Sequence, residues 1–123
     1  MTAHVRPLLL VFVGGAAGAT LRFSVGLAGD ALGANSLIAV LLVNLVGAFA
    51  LGWFTASGAA QSVRLNAFLA AGLLGSFTTF SAYAVEIVDL GANDQVALGA
   101  LYAAGSIFLG VTAAVVGRSV AST

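Results

Sequence analysis

The segment between residues 72 and 86 combines helix-breaking and hydroxyl-bearing residues inside an apolar run long enough to cross a membrane. Its glycine, serine and threonine residues are Gly72, Gly75, Ser76, Thr78, Thr79 and Ser81. Glycine weakens a helix, and hydroxyl side chains compete for its backbone carbonyls. Backbone groups freed inside a bilayer must be satisfied by protein, water or an ion. The pattern therefore predicts a helix that unwinds within residues 75–78 beside an ion pathway, with close helix packing as the alternative.

Polar and aromatic side chains from three predicted helices could line this pathway. They are Asn44, Phe80, Tyr83, Tyr102 and Ser106. At about 1.5 Å per helical residue, all five lie within about 15 Å of the outer ends of their helices. Amides and hydroxyls donate hydrogen bonds, and an aromatic ring is positive at its edge. Neutral donors favour a small anion that must be bound and then released, while the alternative is that these groups only hold helices together.

Arg22 and Glu86 are the two charged residues that lie deepest in the predicted spans. Charges inside a membrane are costly and are usually paired. Both residues lie toward the outer ends of helices that run in the same direction, so we predict a structural ion pair between them.

The composition of the chain bounds its class. It has 123 residues, of which 61% are hydrophobic and 7% charged, and its formal net charge is zero. Such a composition is typical of an integral membrane protein and predicts a single transmembrane domain over residues 1–123. The balanced charge offers no basic patch for nucleic acid. A single histidine and the lack of cysteine argue against a metalloenzyme or a catalytic triad.

Four apolar stretches are each long enough to span a bilayer, which needs roughly 20 residues. They lie at about 7–28, 37–57, 67–89 and 96–118, and they predict an all-α membrane protein with four transmembrane helices. So small a bundle leaves little room inside, which favours a pathway between two copies and makes a dimer the first expectation.

The arginines predict the orientation of these spans. Arg6, Arg64 and Arg118 fall on one side of the membrane, and Asp30 and Asp94 fall on the other. The positive-inside tendency therefore places both termini in the cytoplasm.

Three sequence blocks resemble the signatures of the fluoride channel family, known as Fluc or CrcB. They are GGAAGATLRF at 14–23, VNLVGAFALG at 43–52 and GLLGSFTTFSAY at 72–83. The resemblance implies a multi-pass cell-membrane channel that conducts fluoride passively, without an enzymatic step, and so reduces fluoride toxicity. It also implies an antiparallel dimer of subunits inserted in opposite orientations, with two pores along the contact.

The resemblance also implies roles for individual residues. Phe80 and Tyr83 match the two pore aromatics, and Asn44 matches the pore asparagine. Tyr102 and Ser106 match a polar track on the fourth helix. Gly75 and Thr78 match the residues whose backbone carbonyls hold a structural sodium ion that is not transported.

The chain departs from the family pattern at Tyr83, where phenylalanine is common, at Ser76, where glycine is common, and at Gly110, where the polar track often continues. The arginine asymmetry also leaves open a dimer with an oppositely oriented homologue instead of a second identical copy. The alternative function is a small proton-coupled exporter of the small multidrug transporter type. Such an exporter needs an embedded carboxylate on its first helix, and the predicted first span has none.

Overall fold

The protein is all-helical in a computed structural model that describes residues 2–122. The described helices are α1 (Thr2–Ala31), α2 (Ser36–Ala56), α3 (Val63–Leu65), α4 (Gly75–Phe77), α5 (Phe80–Ala92) and α6 (Val96–Ala121). A short 3-10 turn (Ala59–Gln61) precedes α3, and a π-helical segment (Asn66–Leu74) joins α3 to α4.

Four helical stretches are long and apolar enough to cross a membrane, which confirms the predicted number of spans. The first, second and fourth spans are Val5–Ala31, Ser36–Ala56 and Val96–Ala121, and the third span, Val63–Ala92, contains α3, the π-helical segment, α4 and α5. The third span begins earlier than predicted because Ser62 caps α3 by accepting a hydrogen bond from the Leu65 backbone. The first helix also continues through Asp30, which is exposed in its last turn.

Glycines set which spans pack together. A methyl group added at Gly14 or Gly18 would overlap the backbone of the π-helical segment at Phe68 or Leu73. The later glycine of α1 meets the later residue of the third span, so the two segments run parallel. Close approach of this kind is what small residues permit between membrane helices.

Glycines also allow α2 and α6 to pack closely. An added methyl at Gly52 would overlap the carbonyl of Ala114, and one at Gly117 would overlap the carbonyl of Phe49. The bundle is therefore built from two close helix pairs, α1 with the third span and α2 with α6.

Two residues of the third span have extended backbone. The dihedral ψ of Thr78 is 154°, and Thr79 has φ −144° and ψ 116°. The Thr78 N–H still bonds to the Leu74 carbonyl at 3.0 Å, so helical bonding continues up to Thr78. Gly75 is accordingly helical, with φ −62° and ψ −28°, whereas unwinding was predicted from residue 75 onward. The extended backbone instead begins at Thr78.

Large apolar side chains cover the outside of the helical bundle. Only Val43, Phe54, Phe77 and Leu90 are buried hydrophobic residues among those described. Phe12 and Phe108, by contrast, are exposed on α1 and α6. A surface of this kind needs apolar surroundings, which fits a multi-pass membrane protein.

Candidate functional site

Asn44 fastens α2 to the extended residues of the third span. Its side-chain Oδ1 accepts a hydrogen bond from the Thr79 N–H at 2.8 Å, and its Nδ2 donates to the Thr79 carbonyl at 3.0 Å. The two bonds fix the direction of the amide and leave one of its N–H groups for another partner. Asn44 therefore reaches the predicted site, and half of its hydrogen-bonding capacity is already used by the Thr79 backbone.

Diverted hydrogen bonds deprive two backbone carbonyls of their usual donors. In a continuous α-helix the Thr79 N–H would donate to the Gly75 carbonyl, but here it donates to Asn44. The Ala82 N–H would donate to the Thr78 carbonyl, but it donates to the Thr79 hydroxyl at 3.2 Å. Gly75 and Thr78, the residues predicted to hold a cation through carbonyl oxygens, are thus among the residues around the extended segment whose carbonyls lack their helical donors.

Arg22 contacts the same stretch of chain from α1. Its Nε donates to the Ser76 carbonyl at 3.1 Å. Among the described residues, no carboxylate lies within 4.0 Å of the guanidinium, so the ion pair predicted with Glu86 is not formed. The physical reason is depth, because Arg22 is level with Ser76, and Glu86 follows ten positions later along the third span.

Three aromatic rings form a cluster between α5 and α6. The ring centroids of Phe80 and Tyr83 lie 5.6 Å apart, and those of Tyr83 and Tyr102 lie 5.7 Å apart. The Tyr83 hydroxyl donates to the Ala103 carbonyl at 3.0 Å. Phe80 is 79% exposed, so its ring faces outward from the subunit.

Two hydroxyls of α6 lack hydrogen-bond partners. Tyr102 Oη and Ser106 Oγ are buried, and neither has a partner among the described residues. Buried hydroxyls are nearly always hydrogen-bonded, so these two can each still donate to a further partner.

A groove of about 610 Å³ lies beside these residues. Its lining includes Asn44, Gly75, Thr78, Thr79, Phe80, Tyr83, Ser106 and Gly110. No charged side chain lines it. The fold thus brings four of the five predicted anion-site residues to one groove together with both predicted sodium residues. Tyr102 adjoins it through Tyr83, and Glu86 does not line it.

Sequence reasoning assigned no site role to Thr79. This side chain is only 7% exposed, and its hydroxyl also lies 3.2 Å from Ser81 Oγ. Thr79 lines both the groove and a second cavity of about 340 Å³, which Arg22 and Asp30 also line. The only sequence feature that indicated Thr79 was its place in the Gly/Ser/Thr cluster. Its position between the two cavities depends on its bonds to Asn44, which the sequence does not show.

Known proteins resemble this chain over most of its length. Residues 9–118 match the family described as CrcB-like protein, Camphor Resistance (CrcB). A protein of Leifsonia xyli named Fluoride-specific ion channel FluC 2 is 40% identical over 93% of this chain and 82% of its own length. Proteins named Fluoride-specific ion channel FluC from Novosphingobium aromaticivorans (40% identical, 89% of this chain, 91% of theirs) and Thermus thermophilus (42%, 89% and 90%) are similar.

Proposed function

This chain belongs to the CrcB-like protein family, and on that basis we propose that it is a fluoride-specific ion channel that lets fluoride leave the cell down its gradient. The transport is passive and involves no enzymatic step. The observation that best supports this proposal is that neutral hydrogen-bond donors and aromatic rings line a single groove. Asn44, Ser106 and the aromatic pair Phe80 and Tyr83 line it, with no charged side chain to trap an anion.

The proposed pore needs a second subunit. The groove is open along its length, and Phe80, whose edge we propose contacts fluoride, is 79% exposed. An antiparallel dimer would cover such a groove with a second copy or with an oppositely oriented homologue. In that dimer the third span works as a broken helix whose interruption at Thr78 and Thr79 lies near the middle of the membrane.

A structural sodium ion completes the proposal. The described residues contain no cluster of histidine, cysteine or carboxylate side chains that could hold a metal. The carbonyls of Gly75 and Thr78 have lost their helical donors, and neutral carbonyl oxygens suit a monovalent cation. Two subunits would together supply these oxygens from both chains, and the ion would satisfy the backbone without being transported.

Anion efflux from liposomes tests the function. Purified protein is reconstituted into vesicles loaded with potassium fluoride or potassium chloride, and valinomycin is added to balance the charge. We expect fluoride to leave and chloride to stay. Equal efflux of the two anions, or none, would overturn the channel, and proton-driven export of an organic cation would favour the small multidrug transporter type.

Sodium dependence is tested in the same vesicles. With sodium replaced on both sides by N-methylglucamine and long equilibration, we expect fluoride efflux to fall, because the interruption loses the ion that joins its carbonyls. Radioactive sodium should not cross while fluoride does. Undiminished fluoride efflux from sodium-free protein, or sodium flux that tracks fluoride flux, would contradict the assignment.

A further inference from the structure

The one hydrogen bond that the described structure gives the Arg22 guanidinium goes to a backbone carbonyl. Nε donates to Ser76 at 3.1 Å, across 54 residues of sequence. Arg22 is half-buried within the first membrane span. An arginine at such a position usually pairs with a carboxylate or with backbone carbonyls, and here it takes the second option.

The Ser76 carbonyl needs this donor because of the extended residues that follow it. In a continuous helix the Phe80 N–H would donate to Ser76. Thr78 and Thr79 are extended, and each extended residue advances the chain by about 3.3 Å instead of about 1.5 Å. The helical donor is thereby moved out of position, and an unsatisfied carbonyl inside a membrane is costly.

The charge of Arg22 also matches the local backbone. The helical run that ends at Phe77 presents the negative end of its dipole, which favours a cation. Asn44 holds the next part of the interruption through both polar groups of Thr79. Side chains from α1 and α2 therefore hold the two sides of the interruption.

We propose that Arg22 is a positioning residue that holds the Ser76 carbonyl through Nε and so fixes the shape of the interruption. We call this contact between Nε and the Ser76 carbonyl the clamp. This proposal depends on the proposed channel function only where fluoride efflux is used to test it. The alternative is that Arg22 acts by charge alone, attracting anions into the 340 Å³ cavity that it lines.

Three substitutions separate the hydrogen bond from the charge. Arg22→Gln puts an amide nitrogen at the same number of bonds from Cα as Nε, so it keeps a donor and loses the charge. Arg22→Met has the same length with neither donor nor charge. Arg22→Lys keeps the charge and carries its donor one bond further out. Arg64→Gln, on an exposed residue in the first turn of the third span, is the matched control for loss of charge.

Amide hydrogen exchange over residues 74–83 is the first readout, measured by mass spectrometry on detergent-solubilised protein. Loss of a hydrogen bond to a charged group should speed exchange there by about tenfold or more in Arg22→Met and Arg22→Lys. Arg22→Gln should stay within about threefold of wild type, since a neutral donor retains about half of the free energy of the bond. Arg64→Gln should leave exchange in this segment unchanged.

Fluoride efflux is the second readout and should follow the same order, with Arg22→Gln active and Arg22→Met and Arg22→Lys impaired. Activity kept by Arg22→Lys and lost by Arg22→Gln would overturn the clamp in favour of charge. Equal exchange in Arg22→Gln and Arg22→Met would also overturn it. If wild type itself conducts no fluoride, the channel fails while the exchange data still decide the clamp. If Arg22→Met does not fold, the comparison of Arg22→Gln with Arg22→Lys decides.

Discussion

At the scale of single residues, the two tyrosines of the aromatic cluster differ in what their hydroxyls contact. The Tyr83 hydroxyl donates to the Ala103 carbonyl, so it ties α5 to α6. The Tyr102 hydroxyl is buried near Ser106 and makes no hydrogen bond of standard geometry with the described residues. A satisfied donor is less available to an anion than an unsatisfied one, which assigns different expected roles to two residues of the same type.

Removing each hydroxyl tests this difference. We expect Tyr102→Phe to lower fluoride efflux by about five- to tenfold, the equivalent of one lost hydrogen bond. Tyr83→Phe should leave efflux within about twofold and lower the free energy of unfolding by about 0.5–1.5 kcal/mol. Liposome efflux and thermal unfolding in detergent measure the two effects. The reverse pattern would move the pore donor from Tyr102 to Tyr83.

The exposed ring of Phe80 is a second residue-scale test. Phe80→Ile keeps apolar volume and removes the positive ring edge, so we expect fluoride efflux to fall by about tenfold, as loss of an aromatic contact of about 1.4 kcal/mol implies. The variant should remain folded, because Phe80 is 79% exposed in the subunit. Phe12→Ile, at another exposed ring outside the groove, is the control. Unchanged efflux in a folded, dimeric variant would exclude an aromatic contact with the ion.

At the scale of elements, one face of α2 positions the extended residues of the third span. Asn44 bonds to Thr79, and a methyl group added at Gly47, one turn later, would overlap the Thr78 side chain. Further along, Gly52 lets α2 touch the backbone of α6 at Ala114. The position of the groove wall therefore depends on how closely α2 approaches both neighbours.

Glycine-to-alanine substitutions at a packed and an open position should separate the effect of close α2–α6 packing on stability from that of helix propensity. Gly52→Ala would place a methyl against the Ala114 carbonyl, and we expect it to destabilise the fold by about 1–3 kcal/mol, as overpacking does. Gly91→Ala, where nothing lies within 4 Å, should be neutral or slightly stabilising because alanine favours helix over glycine. Thermal unfolding of both variants in detergent makes the comparison. Equal stability of the two would exclude close α2–α6 packing at Gly52.

At the scale of the whole molecule, the arginine distribution and the proposed dimer give different indications about the orientation of the chain in the membrane. Arg6, Arg64 and Arg118 share one end of the four-span bundle, which favours a single orientation. The proposed antiparallel dimer needs both orientations. Three arginines are a small bias, so we expect this chain to insert both ways and to pair with itself.

Labelling of the termini decides between these arrangements. With a cysteine tag at either terminus and a membrane-impermeant reagent, we expect labelling from both sides of the membrane, together with fluoride efflux from this chain alone. Untagged chain, which has no cysteine, provides the background. Labelling from one side only, with efflux restored by an oppositely oriented homologue, would replace the homodimer by a heterodimer.

Local composition was enough to predict the class of the protein. Four apolar stretches predicted the four spans, because crossing a bilayer depends on length and hydropathy alone. The three motif blocks identified the family that the comparison with known proteins confirms. The polar cluster near Gly75 also includes Thr78 and Thr79, the two extended residues of the third span.

Only the tertiary structure decided which groups meet. Sequence depth predicted a partner for Arg22 at Glu86, but the guanidinium bonds to the Ser76 carbonyl. The Asn44 side chain, which was predicted to bind an anion, also uses half of its hydrogen-bonding capacity on Thr79. The physical reason is that a side chain can bond to a freed carbonyl or N–H of another helix only if the two helices lie close enough. Contacts at glycines set that distance. No local pattern encodes that distance.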